Sequence, residues 1–109
     1  MYFGSTSVGA PALNRELSTV VIRKLAVGPM DNNVYLLRCT ATCEQLLIDA
    51  ADESNRILDL VGGDRLSGVV TTHRHHDHWV ALADVARAKH APTYAHDADA
   101  DAIDVPTRH

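Results

Sequence analysis

Four of the seven histidines fall within the stretch Thr71-Thr72-His73-Arg74-His75-His76-Asp77-His78. Read as H-x-H-x-D-H, it offers His73, His75, Asp77 and His78 as metal ligands on one turn, directly after an apolar strand. Imidazole nitrogen and carboxylate oxygen together suit zinc, iron or manganese. Two histidines at i and i+2 on an extended turn can point both rings into one pocket. Asp77 and His78 then stand at the mouth of the next helix, where they can serve a second ion. Arg74 and His76 occupy the intervening positions and are read as peripheral.

Holding such a turn requires a sheet behind it. Residues 1–17 are rich in Gly, Ser, Ala and Pro and lack periodicity, and they read as a flexible leader. Residues 18–109 read as the structured domain. The β-branched run Thr19–Val27 predicts a strand, ended by Gly28-Pro29. Further strands are expected over Asn33–Cys39, Gln45–Asp49, Leu66–Thr71 and Pro92–Ala95. Ser54 is placed to cap a helix running to Val61, stopped by Gly62-Gly63. A second helix is expected over Trp79–His90, with Leu82, Val85 and Ala86 inward. Cys39 and Cys43 are expected as two reduced thiols near a turn, a short hairpin loop across which the pair could also face each other, since two cysteines make no disulfide scaffold.

The strands are apolar on both faces. Val34 and Leu36 point one way and Tyr35 and Leu37 the other; Val20 and Ile22 oppose Val21 and Leu25. That pattern belongs to a sheet covered on both sides. Two helices cover one face, and the sequence offers nothing further for the second. An apolar face left wet invites association.

The chain has 109 residues, 46% hydrophobic and 22% charged, an ordinary composition for one modest folded domain. A formal net charge of -4 gives no footprint for nucleic acid. No apolar run approaches a membrane span, and the N-terminus lacks the basic and apolar regions of a secretory signal. A cytoplasmic protein without membrane partners is the expectation.

The run Gly68–His78 resembles the T-H-x-H-x-D-H motif of the metallo-β-lactamase-fold hydrolases. Upstream, Asn32–Leu37 resembles that family's second strand and Leu47–Ala51 its strand ending in Asp, and Tyr94-Ala95-His96 resembles the segment after its next strand. The similarity covers about residues 18–97 and is nearest to the glyoxalase II-like branch, the hydroxyacylglutathione hydrolases. The resemblance implies an α/β (α+β) fold, the αβ/βα sandwich, of which this chain would supply about the first half: one mixed sheet with helices on one face. It implies His73 and His75 on a first metal and Asp77 and His78 on a second, zinc foremost, with iron or manganese as alternatives. A cation lowers the pKa of bound water to about 7, giving a hydroxide that attacks an ester or thioester carbonyl of a small-molecule substrate. Asp77 would also orient that nucleophile. Asp49 would orient the metal turn from behind. Asn33 is read as a turn residue, Trp79 as core, His96 as a loop residue, and the acidic run Asp97, Asp99, Asp101 and Asp104 as a solvated face.

The chain also departs from that family. Its second half supplies a further His to the first metal, a bridging Asp and another His, and no G-H-T-x-G-S-like segment is present here. A catalytic zinc ordinarily takes three protein ligands, and here the first would have two. The expectation is the N-terminal half of a hydrolase that alone binds metal weakly. One alternative is a non-catalytic half-domain acting as a homodimer or with a second-half partner; another, within the fold, is an iron-dependent sulfur dioxygenase or a nuclease.

Overall fold

A computed structural model describes residues 8–9, 11–29, 32–72, 79–95 and 103. Six strands form one sheet: β1 (Leu13–Glu16), β2 (Val20–Val27), β3 (Asn32–Cys39), β4 (Gln45–Ile48), β5 (Leu66–Thr71) and β6 (Thr93–Ala95). Helix α1 (Ser54–Val61) joins β4 to β5, and α2 (Leu82–Lys89) lies between β5 and β6. The spatial order follows the chain, antiparallel from β1 to β4 and parallel from β4 to β6. The parallel pairs need crossovers, which the two helices supply. Crossovers of one hand progressing across a sheet in one direction put their helices on the same face.

That face carries the core. Leu25, Val27, Val34, Leu36, Leu47 and Val69 meet Ile57, Leu60 and Val61 of α1 and Leu82 and Val85 of α2. The register places these strand residues side by side: Leu25 opposite Val34, Leu36 opposite Leu47, Leu47 opposite Val69. Trp79 is half-buried and packs on the same cluster.

The opposite face bears Tyr35, Leu37, Leu46, Ile48, Val70 and Tyr94, all half-buried. Nearer β1 the same face is better covered, with Ile22 and Ala26 buried. The two-sided apolar pattern of the strands therefore corresponds to one face under helices and one partly exposed.

Several local expectations need correction. The stretch read as leader contains β1, a polar strand that pairs Leu13–Glu16 with Lys24–Val21. It escapes periodicity because three of its four residues are exposed, and the ladder with β2 supplies its order. Asn33 lies within β3, opposite Ala26, rather than in a turn. Ser54 does not cap α1. The cap position is Glu53, in the left-handed region at φ 51°, without a side-chain cap bond. Helix α2 begins at Leu82, three residues after Trp79.

The C-terminal end of α1 is held by distant side chains. Free carbonyls of a last turn need donors. Arg23 Nη1 donates to Leu60 O at 3.1 Å, Gln45 Nε2 to Val61 O at 3.0 Å, and Lys89 Nζ to Gly62 O. Strands β2 and β4 and helix α2 thus all fix where α1 stops.

Candidate metal centre

The candidate ligands His73, His75, Asp77 and His78 lie outside the described residues, as do Arg74, His76, His96, Asp97, Asp99, Asp101 and Asp104. Among the described residues no group of three or more His, Cys, Asp or Glu is arranged to hold a metal. The structure does describe the residues on either side of 73–78.

Both points are tied to one short segment, Asp49-Ala50-Ala51, after β4. On the leaving side, Thr72 N donates to Asp49 Oδ1 at 2.7 Å and Thr72 Oγ1 donates to Asp49 Oδ2 at 2.6 Å. On the returning side, Val80 N donates to Ala51 O at 3.0 Å and Ala81 N to Ala50 O at 2.9 Å. Asp49 N donates to Val70 O at 2.8 Å, extending the β4–β5 ladder to the last residue before this clamp. The residues on both sides of 73–78, Thr72 and then Val80 and Ala81, are therefore anchored to a common base.

Asp49 is 6% exposed and sits at φ 61°. Asp and Asn enter that left-handed region more readily than other side chains. The turn it makes lets Ala51 N donate back to Asp49 O at 2.8 Å and aims the carboxylate at Thr72. Hydrogen bonds to a carboxylate are short and about twice as strong as neutral ones. Asp49 thus acts on the residue immediately before His73.

The chemistry of the donor set fits a divalent metal. Three imidazoles and one carboxylate are borderline-to-hard donors of the kind zinc and iron accept. The buried carboxylate of Asp49 accepts from Thr72 through both oxygens. Residues 73, 75, 77 and 78 would hold the ion.

The family resemblance singled out Asp49, and the structure adds the backbone groups around it. Ala50, Ala51, Val80 and Ala81 contribute through backbone groups, which leave no mark in residue type. A cavity of about 450 Å³ adjoins the returning anchor, lined by Asp52, Glu53, Arg56, Val80, Ala81 and Asp84 among others. Another, of about 530 Å³, lies at the far end of β4, beside Gln45 and the end of α1. There Arg38 donates to Cys43 Sγ at 3.4 Å and pairs with Asp64 at 2.8 Å; both, Cys43 first, hold its guanidinium above the ordinary value. Cys43 lines that cavity with Val21 and Arg23, whereas Cys39 lines one on the opposite sheet face with Val20 and Leu37. The two thiols are free.

No helix among the described residues is long and apolar enough to cross a membrane. Residues 27–105 match the family model of the metallo-beta-lactamase superfamily. A protein of Aquifex aeolicus (strain VF5), described as uncharacterized, is 32% identical over 59 residues, covering 54% of this chain and 28% of that protein. The B3 metallo-beta-lactamase BLEG-1 superposes with a TM-score of 0.68 at 22% identity, over 78% of this chain and 41% of its own. At that identity it speaks for the fold alone. TTHA1623 in a di-iron-bound form gives 0.62 at 31% identity, over 72% and 39%. ETHE1 from Myxococcus xanthus gives 0.65 at 27% identity, over 81% and 40%. The chain spans about two fifths of the length of these solved relatives and 28% of the Aquifex protein. The family model takes in the clamp at Asp49, the His- and Asp-bearing sequence 73–78 and both parallel strand pairs: the chain belongs to the metallo-beta-lactamase superfamily.

Proposed function

We propose that this chain carries the metal-holding turn of a metal-dependent hydrolase that acts on an ester, thioester or similar carbonyl. The observation behind this reading is the clamp: Asp49-Ala50-Ala51 binds Thr72 on one side of residues 73–78 and Val80 and Ala81 on the other. His73 and His75 would hold one ion, and Asp77 and His78 a second. A divalent ion supplies Lewis acidity, which acidifies water and polarises a carbonyl. Asp77 would orient the attacking water, and Asp49 would keep the turn in place.

Thioesters are the favoured substrate class, on the glyoxalase II-like character of the His turn. Zinc is the favoured metal. The di-iron-bound form of TTHA1623, at 31% identity, makes iron the alternative to test beside it.

The test is metal content and metal-dependent turnover. The purified chain is equilibrated with zinc or with iron(II), and bound metal is counted by native mass spectrometry. Metal on the wild type that is lost in the double variant His73→Ala/His75→Ala supports the reading. So does weak, metal-dependent thioester hydrolysis that Asp77→Asn abolishes. Equal metal on wild type and double variant would overturn it.

A second reading has its own observation. The half-buried row Tyr35, Leu37, Leu46, Ile48, Val70 and Tyr94 is an apolar surface of the kind that marks association. On this reading the chain acts as a metal-binding half-domain with a second copy or a second-half partner. The same native spectra discriminate: a dimer that Leu46→Glu splits favours it, and a monomer at micromolar concentration counts against self-association.

A further inference from the structure

The β3–β4 turn, at the end of β4 away from Asp49, carries both cysteines of the chain, Cys39 and Cys43. Two backbone bonds fix it. Cys39 N donates to Glu44 O and Cys43 N to Cys39 O, each at 2.9 Å. The second bond closes one turn of helical type, across which Cα atoms four residues apart stand about 6 Å from one another. Disulfides bridge Cα separations of about 4.4–6.8 Å, so the turn holds positions 39 and 43 within reach of a bond. Both thiols are free, Cys39 half-buried and Cys43 exposed.

Cys43 sits at φ 62°, in the left-handed region. Glycine adopts that conformation without cost, and cysteine has no special aptitude for it. Backbone conformation alone would favour glycine, so what Cys43 contributes is its sulfur. Arg38 Nη2 donates to Cys43 Sγ at 3.4 Å while pairing with Asp64 at 2.8 Å. Around Cys39, the Thr42 hydroxyl and then the Thr42 and Ala41 amides favour the thiolate. Reactive cysteines occupy such partly exposed surroundings, beside hydrogen-bond donors and positive charge, whereas inert ones lie in apolar cores.

We infer that Cys39 and Cys43 form a thiol–disulfide couple, with Cys39 the attacking thiol, Cys43 the resolving thiol and a low-molecular-weight disulfide such as oxidised glutathione the oxidant. The Cys39 thiolate attacks one sulfur of the oxidant, a mixed disulfide forms and one glutathione thiolate leaves. Cys43 sulfur then attacks Cys39 Sγ, making the 39–43 bond and expelling the second glutathione. The two protein thiols lose two electrons, one disulfide is reduced to two thiols, and the two thiol protons end on the two glutathiones. The bridge draws Cys43 Sγ away from Arg38 and leaves the guanidinium with Asp64. The couple is independent of the metal reading, and exposed disulfides of this kind are the labile, regulatory ones.

The test equilibrates the purified chain with mixtures of reduced and oxidised glutathione. Remaining thiols are blocked with N-ethylmaleimide and counted by intact mass, and non-reducing peptide mapping locates the bond. The expected product is a monomer with no free thiol, no bound glutathione and a 39–43 bridge. Bridging should be about tenfold more favourable in buffer than in urea that unfolds the chain, a shift of about 30 mV. Cys43→Ser should stop at a mixed disulfide on Cys39, and adding Thr42→Val should slow formation of that adduct at neutral pH. Stable glutathione adducts on the wild type without an internal bridge would overturn the inference, as would bridging no easier in buffer than in urea. Faster adduct formation on Cys43 in Cys39→Ser than on Cys39 in Cys43→Ser would overturn the assignment of the attacking thiol, as would an adduct rate that Thr42→Val leaves unchanged.

Discussion

Thr72 gives both its backbone N–H and its hydroxyl to a single carboxylate, that of Asp49, 23 residues earlier in the chain. One side chain therefore sets both the backbone position and the rotamer of the last residue before the candidate ligands. The two contacts, at 2.7 and 2.6 Å, are short, as expected for bonds to a buried carboxylate.

Asp49→Ala removes both bonds and leaves alanine at a positive φ that it adopts poorly. Each bond to a charged group contributes ~1.5–3 kcal/mol, so the expected loss of stability is about 3 kcal/mol after relaxation. Asp49→Asn keeps the backbone and one acceptor oxygen, and should cost less than half as much. Urea unfolding of the metal-free chain measures both. Zinc affinity should fall about tenfold in Asp49→Ala. A loss equal in the two variants would argue that the carboxylate charge, and not the backbone turn, dominates.

Gly28 makes a second close approach near the same end of the sheet. It lies at φ 74°, and a Cβ there would stand 2.7 Å from Asp52 Oδ2 and 2.9 Å from Asp52 Cβ. Its N–H donates to Glu53 Oε2 at 2.8 Å, which ties the β2–β3 loop to the start of α1. Gly28→Ala meets both the φ penalty and the contact. The Asp52 Cβ cannot swing away as a side-chain tip can. A destabilisation of about 2–3 kcal/mol is expected, measured as a shift in urea midpoint at unchanged m-value. A neutral result would show that the 52–53 segment shifts freely.

The contrast between what was and was not legible follows from where the information sits. Strands β2 to β5 announce themselves through β-branched and apolar runs, and α1 and α2 through spacing that buries Ile57 and Val61, Leu82 and Val85. Strand β1 reads Leu-Asn-Arg-Glu, and of these only Leu13 is partly buried, so its order comes from its neighbour's ladder. Asp49 was singled out by its family resemblance, which rests on side-chain types written in the sequence. The Ala50 and Ala51 carbonyls that receive Ala81 and Val80 were not, because any residue carries a carbonyl. The capping of α1 by Arg23, Gln45 and Lys89 was hidden for the same reason, since it depends on tertiary placement.

Cys39 offers a test in solution of the β3–β4 turn. The Thr42 hydroxyl, followed by the Thr42 and Ala41 backbone amides, holds the Cys39 thiol below its ordinary value. Thr42 Oγ1 accepts from Glu44 N at 3.3 Å, which leaves its own proton to donate to sulfur. The thiolate is the reactive form, so a lowered pKa moves the rise in alkylation rate to lower pH. In a Cys43→Ser background, iodoacetamide should modify Cys39 with a pH midpoint below that of an unstructured thiol. Thr42→Val should move that midpoint upward. A midpoint unaffected by Thr42→Val would remove the hydroxyl as the cause.

Gly68 and Tyr94 test the partly exposed sheet face. A Cβ on Gly68 would stand 2.9 Å from Tyr94 Cε2 and 3.3 Å from Cδ2, so the ring of β6 lies over the bare backbone of β5. Gly68 needs no special φ, so the cost of Gly68→Ala is that of moving the ring. Tyr94 is half-buried, which places the expected loss at about 1–2 kcal/mol, toward the low end for overpacking. Residues in contact are non-additive, so Gly68→Ala should cost much less when Tyr94 is already alanine. A double-mutant cycle by urea unfolding gives the coupling. Strict additivity would mean that the ring does not rest on Gly68 in solution, and that the half-covered face is packed differently there.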